Sequence, residues 1–407
     1  MIEKIRIRNF RCLRDFEVRL GPLNFLVGAN NTGKSSVLDA LYVLGECMRR
    51  LPSQAMGRQL PSRLPHMRSE GSNQPVLIET QVSRSQDDES ETLSSASARK
   101  ATYTLGLLPR PAAADPGRYE IVIDQETLEL NPAEKAPSLR YEREGFPGNF
   151  YIVAGEEKKR VMAIESFYGT ILWNLWSKGL RETAWVRRAL LSTPRYSLVP
   201  ERIRQPCELD VGTKMDADGH GLASFLDWLR EVEPERFDQI RKTLGKLVGE
   251  VTNVTFPTVA KNRKAVLFWE KWGTKVPASE ASDGLLLFLA ILAIAYGHEE
   301  EVGVVLLEEP ENGVHPERLR DIVRLLRAIS RGELGLPPVQ VVVTSHSPYL
   351  LDWCQKDEVI VFGRASDGNV CAKGLDELPD IDDRLRDYES LGAYLYEIVE
   401  PACESPS

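Results

Sequence analysis

The chain has 407 residues, long enough for two or three compact units, with 42% hydrophobic residues and a formal net charge of −9. That balance argues against an indiscriminate nucleic-acid binder, and the longest apolar run, Leu285 to Tyr296, is too short to span a bilayer. Met1 to Arg8 alternates charged and apolar residues without a signal-peptide core, and six scattered cysteines show no C-x-x-C pair and no His at ligand spacing, so free thiols, no structural zinc and a cytoplasmic location are expected.

Residues 2–8 and 16–20 read as strands, and Leu23 to Val27 is a short apolar run that reads as a buried strand. It leads into Gly28-Ala29-Asn30-Asn31-Thr32-Gly33-Lys34-Ser35, and from Ser36 apolar residues recur at helical spacing. Strand, G-x-x-x-x-G-K-[ST] loop and helix is the context of a phosphate-binding loop. Gly28 and Gly33 let the backbone of Asn30, Asn31, Thr32 and Ser36 curl round a β-phosphate at the positive end of the helix dipole. Lys34 would reach the β- and γ-phosphates, and Ser35 would ligate Mg²⁺.

Residues 51–75 are rich in Pro, Ser, Gly and Arg and read as a loop or insertion. Strands are expected at 76–83, 102–108 and 119–124, with weaker ones at 128–130 and 139–143. A polar stretch at 84–98 and a Pro/Ala stretch at 109–117 interrupt them, giving an antiparallel meander with long loops. Residues 156–195 and 219–249 read as helical, with Trp173, Trp176, Trp185 and Trp228 as core. Strands return at 251–259 and 264–269, and 278–363 reads helix, strand, helix, strand. Basic and acidic residues number 20 and 19 in 1–155, 21 and 16 in 156–276, and 10 and 25 in 277–407. The middle segment alone is mildly basic.

Val302 to Leu307 is an apolar run that ends abruptly in Glu308-Glu309-Pro310-Glu311. Such a strand delivers carboxylates to a phosphate loop: Glu308 would hold Mg²⁺ through water, and Glu309 would orient or deprotonate the attacking water. Asp is the commoner residue at the first of these positions. Val339 to Thr344 is another apolar strand with His346 just beyond its carboxyl end, the edge where α/β sheets bind ligands, so His346 is expected to touch a γ-phosphate, the alternative being a cap of the following helix. Ala281-Ser282-Asp283-Gly284 opens the apolar helix 285–296; taken alone it is an N-cap, Ser282 or Asp283, and its hydroxyl and backbone N–H groups also make an anion site.

Asn9-Phe10-Arg11, GANNTGKSS, ASDG, LLEEPENGVHP and TSHSPYLLD occur in the order seen in ABC-type ATPases of the RecF/SMC/OLD branch. The chain resembles most the small AAA-family predicted ATPases of that branch, with motif-level support over residues 1–45 and 278–363. The resemblance implies an α/β fold: an ABC-type P-loop NTPase core, a mixed sheet with flanking helices, carrying an antiparallel β subdomain and a helical insertion. The expected division is 1–155, an ATPase lobe with the phosphate loop and meander; 156–250, the helical insertion; 251–375, the second ATPase lobe; and 376–407, an acidic tail.

It further implies ATP and Mg²⁺ as cofactors, and a homodimer or higher homo-oligomer with ATP at the interface. The ASDG segment would correspond to the ABC signature, Ser282 and Gly284 contacting the γ-phosphate bound by the other subunit with Asp283 between them. Glu311 and Asn312 would lie in the loop crossing that interface. The family's glutamine loop is not placed, Gln74 and Gln81 being the candidates. Only 61 residues follow His346, too few for the TOPRIM nuclease of OLD relatives. Asp380-Ile381-Asp382-Asp383 lacks the rest of such a site, so an effector nuclease is expected on another polypeptide. Three functions follow. One is an ATPase whose ATP state regulates an effector, a nuclease or toxin, in anti-phage defence. The second is a RecF-like repair clamp, with a DNA groove sought at Arg187, Arg188, Arg202, Arg204, Lys261, Arg263 and Lys264. The third is a non-hydrolysing ATP-sensing scaffold. No membrane partner is expected.

Overall fold

The computed structural model describes residues 1–49, 74–84, 98–112, 115–131, 139–144, 149–154, 157–163, 169–177, 183–208, 215–297, 302–379, 381–388 and 390–397. Most of the loops expected at 51–75 and 84–98 lie outside these residues, as does Asp380 of the D-x-D sequence.

The chain opens with β1 (Ile2–Phe10), β2 (Leu13–Arg19), β3 (Leu23–Gly28) and α1 (Lys34–Arg49). Next come β4 (Val76–Ser83), β5 (Lys100–Ala112), β6 (Asp115–Asn131), β7 (Leu139–Glu144), β8 (Asn149–Ala154) and β9 (Glu157–Ala163). Helices α2 (Ile171–Ser177) and α3 (Ala184–Leu190) precede β10 (Ser192–Tyr196), α4 (Pro200–Ile203), β11 (Cys207–Glu208), α5 (Leu222–Val232) and α6 (Pro234–Val248). Short strands follow: β12 (Val251–Thr255), β13 (Thr258–Ala260), β14 (Arg263–Lys264), β15 (Leu267–Glu270) and β16 (Lys275–Pro277). The last part holds α7 (Asp283–Tyr296), β17 (Val304–Glu308), α8 (Pro316–Ser330), β18 (Gln340–Thr344) and α9 (Pro348–Leu351). It ends with β19 (Val359–Arg364), β20 (Val370–Gly374), α10 (Ile381–Arg386) and α11 (Leu391–Glu397).

Two large sheets result. The first has the order β10-β17-β18-β3-β19-β20, parallel except for the final antiparallel pair. Its inner strands are apolar at consecutive positions because both faces are covered. Along them the side chains alternate between two cores. Phe25, Val305, Leu307, Val341, Val343, Val359 and Val361 face one, which also holds α7. Leu26, Val304, Leu306, Val342, Ile360 and Phe362 face the other, which holds α1 and the second sheet. Helix α7 has no polar face past its first turn; Leu286 to Ile294 are buried all round, as its composition required. Among the described residues no helix is long and apolar enough to cross a membrane.

The second sheet is antiparallel, ordered β2-β1-β4-β5-β6-β7-β8-β9. Gln340, at the start of β18, joins the sheets: its Nε2 donates to Ile2 O and Gly21 O, both at 2.8 Å, and Ile2 N donates to its Oε1 at 3.0 Å. The meander differs from expectation in two places. First, residues 109–112 and 115–117 are strand rather than a break. Strand β5 runs through Pro109 and Pro111, because β4 pairs with it only as far as Leu107 and the prolines occupy a stretch with one free edge. Second, 157–163 is a strand where a helix was expected. Its paired neighbour β8, rather than its own propensity, sets the conformation of this Lys/Arg-rich segment. Strand β10 likewise interrupts the helical stretch at 192–196 and joins the parallel sheet. Trp176 is not core but exposed, with the Arg187 guanidinium over its ring. Cys12, Cys47, Cys207 and Cys354 are free, whereas Cys371 is disulfide-bonded, against the expectation of six free thiols.

Candidate functional site

The phosphate-loop sequence forms the turn from β3 into α1. Gly28 has φ +143°, and a Cβ there would lie 2.4 Å from Phe362 O, so only glycine fits. Gly33 has φ +94° and packs against Cys12, Leu13 and Val370. Asn31 takes a positive φ of 69°, which asparagine tolerates better than most residues. The loop is braced from within, Thr32 Oγ1 donating to Ala29 O at 2.8 Å, and from β19, Arg364 Nη2 donating to Asn31 O at 2.7 Å. Helix α1 begins with Ser36 N and Val37 N donating to Gly33 O. Lys34 is folded back over this loop, its Nζ donating to Gly28 O and Ala29 O at 2.8 Å each. Burial lowers its pKa to about 8, against the attraction of Glu309.

Parallel pairing puts the carboxyl ends of β17 and β18 beside that loop, Glu308 opposite Thr344 and Thr344 opposite Leu26. Ser35 Oγ donates to Glu308 Oε1 at 2.9 Å. The other carboxylate oxygen of Glu308 is 3.3 Å from Arg195 Nε, a side chain delivered by the neighbouring strand β10. Arg195 Nη1 also donates to Asp39 Oδ1 at 2.8 Å, and Arg11 pairs with Asp39 Oδ2. Asp39 is buried on α1, one turn beyond Ser35. Sequence reasoning missed Asp39 and Arg195 and used Arg11 only as part of a motif. The available signal was an aspartate four residues after Ser35 amid an apolar helix face.

Glu309 adopts φ +45°, a kink fixed by its N–H donating to Thr344 O at 3.0 Å. One carboxylate oxygen accepts from Asn312 Nδ2 at 2.9 Å, and the other is 3.5 Å from His346 Nε2. Burial and the Lys34 charge hold the His346 pKa below its ordinary value, outweighing Glu309, so the ring is mainly neutral at neutral pH. The side chain of Glu311 is buried, accepting from Ser345 Oγ at 2.6 Å and His346 N at 3.1 Å. It is tied to the β18 end because β17 and β18 are adjacent, and burial raises its pKa. Asn312 remains exposed.

Ser282, Asp283 and Gly284 form a separate group. Ser282 caps α7, its Oγ accepting from Leu285 N at 3.3 Å. Asp283 pairs with Arg204, which also donates to Ala281 O at 2.9 Å. Gly284 faces Val314, with a hypothetical Cβ 3.9 Å from that side chain. Among the described residues no hydrogen bond or ion pair joins these three to the phosphate loop. Gln81 lies in β4 of the antiparallel sheet and Gln74 just before that strand; the position beside β17 belongs to β10 and carries Arg195. The basic residues considered for a groove are largely engaged: Arg187 with Met48 O, Arg202 with Asp218, Arg204 with Asp283, Lys264 with Asp227 and Arg263 with Glu208. Among the described residues no cluster of three His, Cys, Asp or Glu forms a metal cage.

Residues 23–352 match the family model described as "AAA domain, putative AbiEii toxin, Type IV TA system". The chain is 43% identical over 54 residues to the OLD nuclease of Thermus scotoductus, covering 13% of this chain and 10% of that protein. It is 38% identical over 82 residues to the DNA replication and repair protein RecF of an Enterobacter species, covering 19% of this chain and 23% of that one. The chain therefore spans less than a quarter of the length of these curated relatives. The crystal structure of an SMC head bound to the C-terminal winged-helix domain of ScpA superposes with a TM-score of 0.50 at 12% identity, over 91% of this chain and 96% of that chain. At that identity the likeness shows the fold, an SMC-head-like α/β architecture with mixed sheets and flanking helices, as the motifs implied.

Proposed function

The chain belongs to this AAA domain family, as an ABC-type ATPase of the RecF/SMC/OLD branch, and on that premise we propose that it binds Mg-ATP at the β3–α1 loop and hydrolyses it. The observation that carries the reading is the convergence of Lys34, the Ser35–Glu308 pair and the Glu309–His346 pair at one edge of the parallel sheet. The loop from Gly28 to Ser36 presents backbone N–H groups at the start of α1 to the phosphates. Lys34 exchanges two carbonyl partners for phosphate oxygens. Ser35 and Glu308, a hydroxyl and a carboxylate 2.9 Å apart, are the residues that would hold Mg²⁺. Two hard oxygen donors suit an ion that takes its remaining ligands from water and phosphate, and no protein cage is needed. Bound there, the ion would neutralise charge on the β- and γ-phosphate oxygens.

Glu309 accepts the proton of the attacking water, its carboxylate held by Asn312 and aimed beside His346. His346, neutral at Nε2, donates to a γ-phosphate oxygen. Two chains enclose the nucleotide head to tail, the exposed N-terminus of α7 with Ser282 and Gly284 completing the partner's site. The ATP state controls a separate effector, a reading that rests on the motif resemblance; the family description itself names a putative toxin of a toxin–antitoxin system. The RecF-like groove gains no support from its engaged arginines.

The test is Glu309→Gln. It keeps Mg-ATP binding, while hydrolysis falls by about 10²–10⁴-fold, the usual worth of a positioned general base. Hydrolysis at the wild-type rate would remove Glu309 from that role, and Mg-ATP binding undiminished in Lys34→Ala would remove the nucleotide from this loop.

A further inference from the structure

The small sheet β12-β15-β16 buries one face and leaves the other partly exposed. Val254 and Phe268, paired in register, point into the core. Their neighbours Asn253, Trp269 and Lys275 form a cross-strand row on the opposite face. Trp269 is fixed there by its Nε1 donating to Thr255 Oγ1 at 2.9 Å, with Lys275 Nζ 4.1 Å from its ring centroid. At the β15–β16 turn, Trp272 is 65% exposed, and Lys271 Nζ lies 4.5 Å from its ring. A tryptophan left in water at a hairpin tip forgoes the burial that usually places this residue. The adjoining hairpin β13–β14 is exposed over residues 257–263 and carries Lys261 and Arg263.

Residues 257–277 contain Lys261, Arg263, Lys264, Lys271 and Lys275 against Glu270 alone, in a chain of net charge −9. Arg263 and Lys264 pair with Glu208 and Asp227, while Lys261, Lys271 and Lys275 have no carboxylate partner among the described residues. Indole faces interleaved with unpaired ammonium groups match one polymer well: bases that offer π-faces on a chain of phosphates. We propose that this sheet face is a platform for single-stranded nucleic acid. Trp272 and Trp269 stack unpaired bases, and Lys261, Lys271 and Lys275 contact the phosphates. A duplex hides its base faces in the stack, so it would leave the tryptophans unused. The platform shares no residue with the phosphate loop or the β17 end, and the inference stands apart from the ATPase reading.

Fluorescence anisotropy of a labelled oligothymidylate of about 20 nucleotides, titrated with the intact protein, tests it. The strand binds more tightly than a duplex of equal length. Trp272→Ala weakens binding about five- to a hundredfold and Trp272→Phe restores most of it, as loss and recovery of a stacked base require. Lys271→Ala and Lys275→Ala each lower the slope of log affinity against log salt by about 0.7. Because Trp272 is exposed, its replacement leaves the circular dichroism spectrum unchanged. Binding unaltered in Trp272→Ala, no binding at low salt, or equal competition by polyglutamate would each overturn the proposal, the last by making this a surface for acidic protein.

Discussion

Lys34 places a charge where the folded chain resists it. Its ammonium is buried over its own loop, and the pKa has fallen from the ordinary lysine value to about 8. A bound polyphosphate favours the charged form, so nucleotide binding above pH 8 must take up a proton. Affinity for ATP is therefore expected to fall as pH rises through 8, approaching tenfold per pH unit, and to be nearly flat between pH 6 and 7. Fluorescent-nucleotide titrations across this range check it; an affinity constant up to pH 9.5 would mean that Lys34 does not meet the phosphates. Lys34, Ser35, Glu308, Glu309 and His346 were legible in the sequence because each sits in a short contiguous motif. Asp39 and Arg195 were not. The partners of Asp39 are 28 and 156 residues away in the chain, and only folding brings two guanidinium groups to one buried carboxylate.

At the scale of elements, the placement of β10 has the largest chemical consequence. Paired in parallel with β17, this five-residue strand aims Arg195 at both Glu308 and Asp39. Arg195→Ala is expected to lower stability by about 1.5–3 kcal/mol in urea unfolding, the range for hydrogen bonds to charged groups, because Asp39 is left with Arg11 alone. It should also change the Mg²⁺ dependence of nucleotide binding, since Glu308 loses a fixed cation. Arg195→Lys should recover little, as one ammonium cannot bridge two carboxylates as a guanidinium fork does. Unchanged stability and Mg²⁺ dependence in the alanine variant would show the bridge to be idle. Strand β9 has a helix-like local sequence and β5 carries prolines that locally signal a break; both are strands because pairing partners and free edges are not local properties.

At the scale of the whole molecule, the two groups proposed to serve nucleotide chemistry share no hydrogen bond or ion pair among the described residues. The phosphate loop, Glu308, Glu309 and His346 converge, whereas Ser282 accepts from Leu285 N and the neighbouring Asp283 pairs with Arg204. If the second group serves another chain's nucleotide, light scattering of Glu309→Gln should show its mass double when Mg-ATP is added. Adding Ser282→Arg, which crowds the α7 terminus, should prevent the doubling. A protein that stays monomeric with and without Mg-ATP would leave Ser282 as a helix cap. An assembly already complete without nucleotide would assign ATP a structural role.

The sequence by itself determined the strand–loop–helix of the phosphate site, the acids that end β17, the histidine beyond β18 and the buried helix α7. Each is written in a run of neighbouring residues, where backbone geometry and apolar spacing suffice. The tertiary structure decided which side chains meet: the Arg11–Asp39–Arg195–Glu308 chain, the inward turn of Glu311 and the tryptophan-lysine face of β12-β15-β16. Those contacts depend on strand order and register. Order and register are settled by the packing of two cores against a shared sheet, which no local stretch of the chain contains.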